Sequence, residues 1–164
     1  MTAEEIIVAI LRTLPAHTVR GKKRLQKLVY FLQQAGVDCA ATFQIRNFGP
    51  FSTEVELAST MLTLFGDIEE KEIETGYAKY LTIEYSLSEE AFEGDPLSAP
   101  FSEMLLSLNE FSTIDLEVAS TVLFFEKSGC DRTSAISRTR AIKPTKVNDK
   151  TLANANAILR LFGS

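Results

Sequence analysis

Apolar residues recur along this chain at two spacings, and the spacing changes from segment to segment. Near the N-terminus Ile6, Ile7, Ile10, Leu11 and Leu14 follow a helical period, and Thr2 with Glu5 supplies a capping box. Pro15 closes that helix. Leu25, Leu28, Val29 and Leu32 stand at i, i+3, i+4 and i+7, which predicts a second helix over residues 21–34 with Gly36 as its stop. Phe43 and Ile45 alternate with Thr42, Gln44 and Arg46, the signature of a short half-buried strand. Gly49-Pro50 reads as a turn. Thr53 with Glu56 then caps a third helix bearing Val55, Ala58, Met61, Leu62 and Phe65, and Gly66 ends it. Two β-type runs flank Thr75-Gly76, one holding Ile68 and Ile73, the other alternating Leu81, Ile83, Tyr85 and Leu87 with polar residues.

A polar link from Glu89 to Pro100 leads into a helical half. Phe101, Met104, Leu105 and Leu108 form one stripe. Ser112 opens a helix whose Val122-Leu123-Phe124-Phe125 run is apolar nearly all round, which predicts the central buried helix. A short basic helix over residues 134–141 ends near Pro144, and Leu152, Ala155, Ile158, Leu159 and Phe162 mark the last amphipathic helix. The expected fold class is α+β and mostly helical. Helix, helix, strand, helix, hairpin is the order of a winged helix-turn-helix, so residues 1–88 are expected to form a winged-helix-like core with the hairpin as its wing. Residues 98–164 are expected to be the helical C-terminal part of the same single domain, 1–164.

Bulk composition narrows the class. The chain is 45% apolar and 24% charged, as in globular proteins rather than disordered ones. No apolar run approaches the roughly 18 to 20 residues that span a bilayer. The start Thr2-Ala3-Glu4-Glu5 lacks the basic opening of a signal peptide. Cys39 and Cys130 have no neighbouring Cys or His at ligand spacing, and one histidine cannot build a zinc site. The expectation is a cytoplasmic protein with reduced thiols, without metal or cofactor and without membrane contact.

Charge is unevenly spread. Residues 51–110 hold fourteen acids and two bases, a local net of −12 in a chain whose total is −5. Both ends are therefore basic around an acidic middle, a dipolar arrangement that orients charged partners or holds two parts of a chain together. Arg20, Lys22, Lys23, Arg24 and Lys27 place five positive charges in eight residues with no acid among them. On a helix Lys23 and Lys27 share a face while Leu25 and Leu28 turn inward. Such a face suits phosphates or an acidic partner, although positive charge near a helix start opposes the macrodipole. A second basic group comprises Arg132, Arg138, Arg140, Lys143 and Lys146.

Catalytic constellations are lacking in the sequence. Gly21-Lys22 ends like a phosphate loop, but Ala16 replaces the upstream glycine and Lys23 the hydroxyl residue. His17 is tied to no nucleophile or acid by any motif. The third helix, which would read a DNA groove in a winged helix, carries Glu54 and Glu56 and no Lys or Arg.

The residues Lys23 to Leu32, then Phe48-Gly49-Pro50 and Ser52, resemble the Panacea family of SocA-like antitoxin domains, especially its YwgA-like members. Those proteins show a K-L-Q-K-L-x-Y helix, an aromatic-Gly-Pro turn and a capped helix. Ala141-Ile142-Lys143-Pro144, followed by the Ala-rich helix from Ala153 to Leu161, is similar to the family's ending. Phe48 replaces the commoner tyrosine, so any hydrogen bond from a phenol is lost here. The resemblance implies a compact, mostly helical, non-enzymatic domain that in many members is the antitoxin partner of a toxin.

The expected function is therefore a non-catalytic protein-interaction module that binds and masks a protein partner, a cognate toxin being one candidate. Arg20, Lys22, Lys23, Arg24, Lys27, Phe48, Gly49, Pro50 and Phe51 are the candidate contact residues. A winged-helix DNA-binding transcriptional regulator is the alternative. Catalytic, cofactor-binding and metal-ligating residues are expected to be none.

Overall fold

A computed structural model describes residues 1–74 and 81–163. Helix α1 (Ala3–Thr13) starts on the expected capping box, with the Thr2 hydroxyl accepting from the Glu5 amide and the Glu5 carboxylate accepting from the Thr2 amide, both at 3.1 Å. Its residues from Ile6 to Leu11 are all buried, so it is a core helix rather than a one-faced one. The chain then reverses at Ala16 and His17, both in the left-handed region at φ 58° and 53°. His17 is exposed there, with its Nδ1 3.1 Å from the Leu11 carbonyl.

Strand β1 (Thr18–Arg20) was not legible from periodicity, because three residues are too few to show alternation. Pairing defines it instead. It lies antiparallel beside β5 (Leu81–Leu87), which also pairs with β4 (Ile68–Glu74), giving the order β1-β5-β4. Val19 sits opposite Tyr85 and both are buried, while the neighbouring pair Arg20–Glu84 forms an exposed ion pair at 2.8 Å. The expected hairpin is thus present as β4 and β5. Its Thr75-Gly76 turn lies outside the described residues.

Helix α2 (Lys22–Ala35) is uncapped by any side chain at Gly21 and closed by Gly36, whose φ of 118° lets the Val37 amide reach back to the Leu32 carbonyl at 3.0 Å. A positive φ at this position is why the stop is a glycine. Every residue from Leu25 to Leu32 is buried, Gln26 and Lys27 included. Arg24 donates to the Asn109 carbonyl at 2.7 Å and to the Thr113 hydroxyl at 3.2 Å, fastening α2 to the junction of α4 (Ala99–Asn109) and α5 (Thr113–Lys127).

Two expectations between α2 and the next helix are corrected. Gly49-Pro50 is not the turn. It begins strand β3 (Gly49–Phe51), which pairs with β2 (Gln44–Arg46), and the reversal falls on Asn47-Phe48 because Arg46 stands opposite Gly49. The cap of α3 (Thr53–Leu64) is Ser52, one residue earlier than expected, with its hydroxyl accepting from the Val55 amide. Helix α3 buries Val55, Ala58, Ser59 and Leu62, whereas Phe65 is exposed.

The C-terminal half follows the hydrophobic pattern closely. Ser112 caps α5, and residues 115 to 123 of that helix are buried on every side. It packs on α2, on α6 (Arg132–Ile142) and on α7 (Asp149–Arg160). Helix α6 begins two residues before the expected start because Asp131 caps it, accepting from the Ser134 amide at 2.7 Å. The protein is therefore a mostly helical α+β fold in which α2 and α5 form the centre, with one three-stranded sheet and one small hairpin.

The hairpin β2–β3 meets α5 with almost no space between them. Gly49 has φ +94°, and a Cβ there would stand 2.5 Å from the Thr121 hydroxyl. Gly49→Ala should cost about 3 kcal/mol, combining left-handed strain with overpacking. Urea unfolding checks this, and the double variant with Thr121→Ala should recover part of the loss because the clash partner is removed.

Candidate functional site

The strand after the Asn47-Phe48 turn lies against two buried helices, so its peptide groups need partners from protein rather than water. Helix α2 provides most of them. The Gln26 amide donates to the Ser52 carbonyl and its oxygen accepts from the Ser52 amide, each at 2.9 Å. One turn of side chain away, the Lys27 ammonium donates to the Pro50 carbonyl at 2.8 Å. From the far end of the chain, the Lys143 ammonium donates to the Asn47 carbonyl at 3.0 Å. The Gln-Lys pair and the Gly-Pro-x-Ser segment thus form one clasp. Their co-occurrence in the sequence has a mechanical reason.

Bringing Lys27 and Lys143 inside creates an electrostatic demand, which Glu117 of α5 answers. Its carboxylate is 1% exposed, with Lys143 3.3 Å from Oε1 and Lys146 2.7 Å from Oε2. Lys146 makes a hydrogen bond, whereas Lys143 approaches Oε1 at an angle that gives ion contact alone. The first and second basic groups therefore do meet, but largely in the interior. Lys23 adds a fourth ammonium, 3.4 Å above the Phe48 ring, while Lys146 lies 5.1 Å from that ring. Phe48 offers these cations a π face, for which the absent phenol hydroxyl is not needed. Arg46 covers Phe51 in the same manner, at 4.4 Å.

Four ammonium groups near one carboxylate leave the lysines short of compensation. Burial pushes Lys27 down to about 7 from its ordinary 10.5; Glu117 opposes the shift, and Lys143, Lys23 and Lys146 add to it. Lys143 is lowered by burial with Glu117 pulling the other way, and Lys23 by burial and the nearby Lys146.

Beside this cluster a cleft of about 610 Å³ opens between α2, α3 and β5. Leu25, Phe51, Val55 and Tyr85 give it apolar walls, Lys22, Lys23 and Lys27 line it from α2, and Glu56 and Glu70 line it from α3 and β4. Burial raises the Tyr85 phenol to about 12, with Glu70 and Glu56 reinforcing the shift and Ser59 opposing it. Phe48 is 46% exposed at the rim and Leu64 75%.

The nine candidate contact residues consequently separate into three groups. Arg24, Lys27, Gly49 and Pro50 are engaged within the fold, Lys27 being 1% exposed. Lys22, Lys23, Phe48 and Phe51 border the cleft, and Arg20 is paired with Glu84 on the sheet. Glu117 was missed by sequence reasoning, since a lone glutamate in an apolar helix carries no spacing signal. Tyr85, Ser59 and Thr63 were missed as cleft residues because strand and helix meet only in three dimensions.

Cys39 and Cys130 are both free thiols. Among the described residues, no three of His, Cys, Asp and Glu come together in a way that could hold a metal ion, and no helix is long and apolar enough to cross a membrane. The chain is similar to the uncharacterised protein YwgA of Bacillus subtilis (strain 168), with 32% identity over 111 residues. That alignment spans 65% of this chain and 65% of YwgA. No protein-family model and no solved structure matches the chain.

Removing the central anion should be severe. Glu117→Gln leaves Lys27, Lys143 and Lys146 without a buried counter-charge and should cost about 3 to 5 kcal/mol in chemical unfolding at neutral pH. The lysines also dictate a pH dependence. Because the unfolded chain holds the Lys27 proton more tightly than the folded one, this group lowers stability below pH 7 and relieves that penalty as pH climbs from about 7 towards 10.5. The free energy of urea unfolding should accordingly rise between pH 7 and 9.5, with Lys27 contributing at most about 1.4 kcal/mol per pH unit. Lys27→Met should flatten the rise. The window ends near pH 10, where the raised Tyr30 and Tyr85 phenols begin to act in the opposite sense.

Proposed function

We propose that the protein is a non-catalytic interaction module of the SocA-like antitoxin kind, acting in the cytoplasm on a protein partner. The observation that carries this reading is the mouth of the cleft, where exposed Phe48 and Leu64 lie beside Lys22 and Lys23. Exposed Leu57 and Phe65 extend the apolar character along and just beyond α3. Large exposed side chains beside cations that have no ion pair among the described residues, Lys23 resting on the Phe48 ring, suit a partner that presents apolar and acidic residues together. Masking would then be steric, with the partner's own working surface covered by this face.

Two further features support the reading. The similarity to the uncharacterised YwgA is in keeping with the YwgA-like part of the resemblance. The order α1-β1-α2-β2-β3-α3-β4-β5, with β5 between β1 and β4, is compatible with the winged-helix-like core expected from the sequence, with the small hairpin inserted before α3. Use of that core as a DNA reader is disfavoured by charge. Helix α3 exposes Glu54 and Glu56, and β4 exposes Glu69, Glu70, Glu72 and Glu74 around one Lys71. Such a surface repels phosphates.

The test is affinity capture from nuclease-treated lysate of the source cells, followed by reconstitution of the complex from purified components. A stoichiometric protein should be retained by the native chain. It should be lost with Lys22→Glu/Lys23→Glu or Leu64→Asp and kept with Ile114→Asp, an exposed change on α5. Retention by all variants, or recovery of DNA in place of protein, would refute the assignment.

A further inference from the structure

We propose that the cleft between α2, α3 and β5 is a binding site for a small amphipathic monoanion, with its carboxylate or sulfonate at the lysine end and its apolar body along the walls. This concerns the interior of the cleft and stands independently of the partner reading.

Size and lining come first. A space of about 610 Å³ lies within the range of small-molecule sites, and it is bounded by buried Leu25 and Val55 together with Phe51. Apolar walls of that kind gain from displacing water onto an apolar body.

Charge then sets the ligand's orientation and valence. Lys22, Lys23 and Lys27 line one end, and none of the three has an ion pair among the described residues. The carboxylate closest in chemistry, Glu117, is already held by Lys143 and Lys146. The buried Lys27 ammonium has a carbonyl partner, Pro50, but no counter-ion in contact. An anion at this end supplies the missing charge in a partly desolvated place, where a charge-assisted contact is strong. Glu56 of α3 and Glu70 of β4, on walls other than the lysine-bearing α2, would repel a second anionic group. A nucleotide or dicarboxylate is therefore a poor match, and a single anionic head on an apolar body is a good one. Thr60 and Thr63 line the α3 wall with hydroxyls that already donate to the Glu56 and Ser59 carbonyls, so the body of the ligand needs no polar substituent there.

A matched pair of fluorescent probes tests the idea with the purified full chain. The probes are 1-anilinonaphthalene-8-sulfonate and its uncharged counterpart N-phenyl-1-naphthylamine. The sulfonate should bind saturably at one per chain and at least about tenfold more tightly than the neutral amine. Lys23→Gln should weaken the sulfonate about tenfold and leave the neutral probe unchanged. Thr63→Trp, or Thr60→Trp from its exposed position should the first fail to fold, should block both probes while the far-ultraviolet circular dichroism remains native. Equal affinities for the two probes would overturn the anion assignment. Sulfonate binding that survives both tryptophan variants, or the absence of saturable binding, would overturn the site. None of these outcomes depends on whether a protein partner exists.

Discussion

Backbone polar groups in the interior must be satisfied, and this requirement shapes the middle of the molecule. The segment from Asn47 to Ser52 runs against α2 and α5, where a strand partner exists on one side only. Three carbonyls and one amide are met by Lys143, Lys27 and Gln26. Using ammonium groups for this purpose brings charge into the core, and the charge in turn requires Glu117. Gly49 belongs to the same chain of necessity, because only a residue without Cβ lets the hairpin approach Thr121 closely enough for the lysines to reach its carbonyls.

The same arrangement explains the character of the cleft. Lys27 is committed to the hairpin, yet its side chain also forms part of the cleft lining, so the structural clasp and the candidate site share a wall. Lys23 links them from outside through its contact with Phe48. A ligand or partner that recruits Lys23 competes with that contact. The hairpin turn and the cleft mouth are therefore mechanically connected through one aromatic ring.

Much of the fold could be read from hydrophobic spacing. Helices α1, α2, α3, α5 and α7 and the pair β4–β5 lie where the apolar periods put them, since each buries a face whose repeat is set by its own geometry. Strand β1 escaped because Thr18-Val19-Arg20 is defined by a partner more than sixty residues away, at Glu84 to Ser86. Gly49-Pro50 was misread because the usual turn preference of that dipeptide yields here to a close approach that needs glycine for room. The basic groups were recognised as groups, but periodicity could not reveal that Lys27 faces inward. That outcome depends on the Pro50 carbonyl and on Glu117, the latter ninety positions along the chain. Cleft walls drawn from α2, α3 and β5 have no signature in local sequence for the same reason.

The location of Lys143 and Lys146 has a consequence for how the protein is made. On a ribosome, Gln26, Lys27, the hairpin and then Glu117 emerge well before these two lysines. Until the link between α6 and α7 follows them, the Glu117 carboxylate lacks the two ammonium groups that touch it, Lys143 and Lys146, and its burial is costly. The clasp around the hairpin is therefore complete only when the link between α6 and α7 has joined it, so the N-terminal hairpin and the C-terminal helices are coupled in folding rather than ordered one after the other.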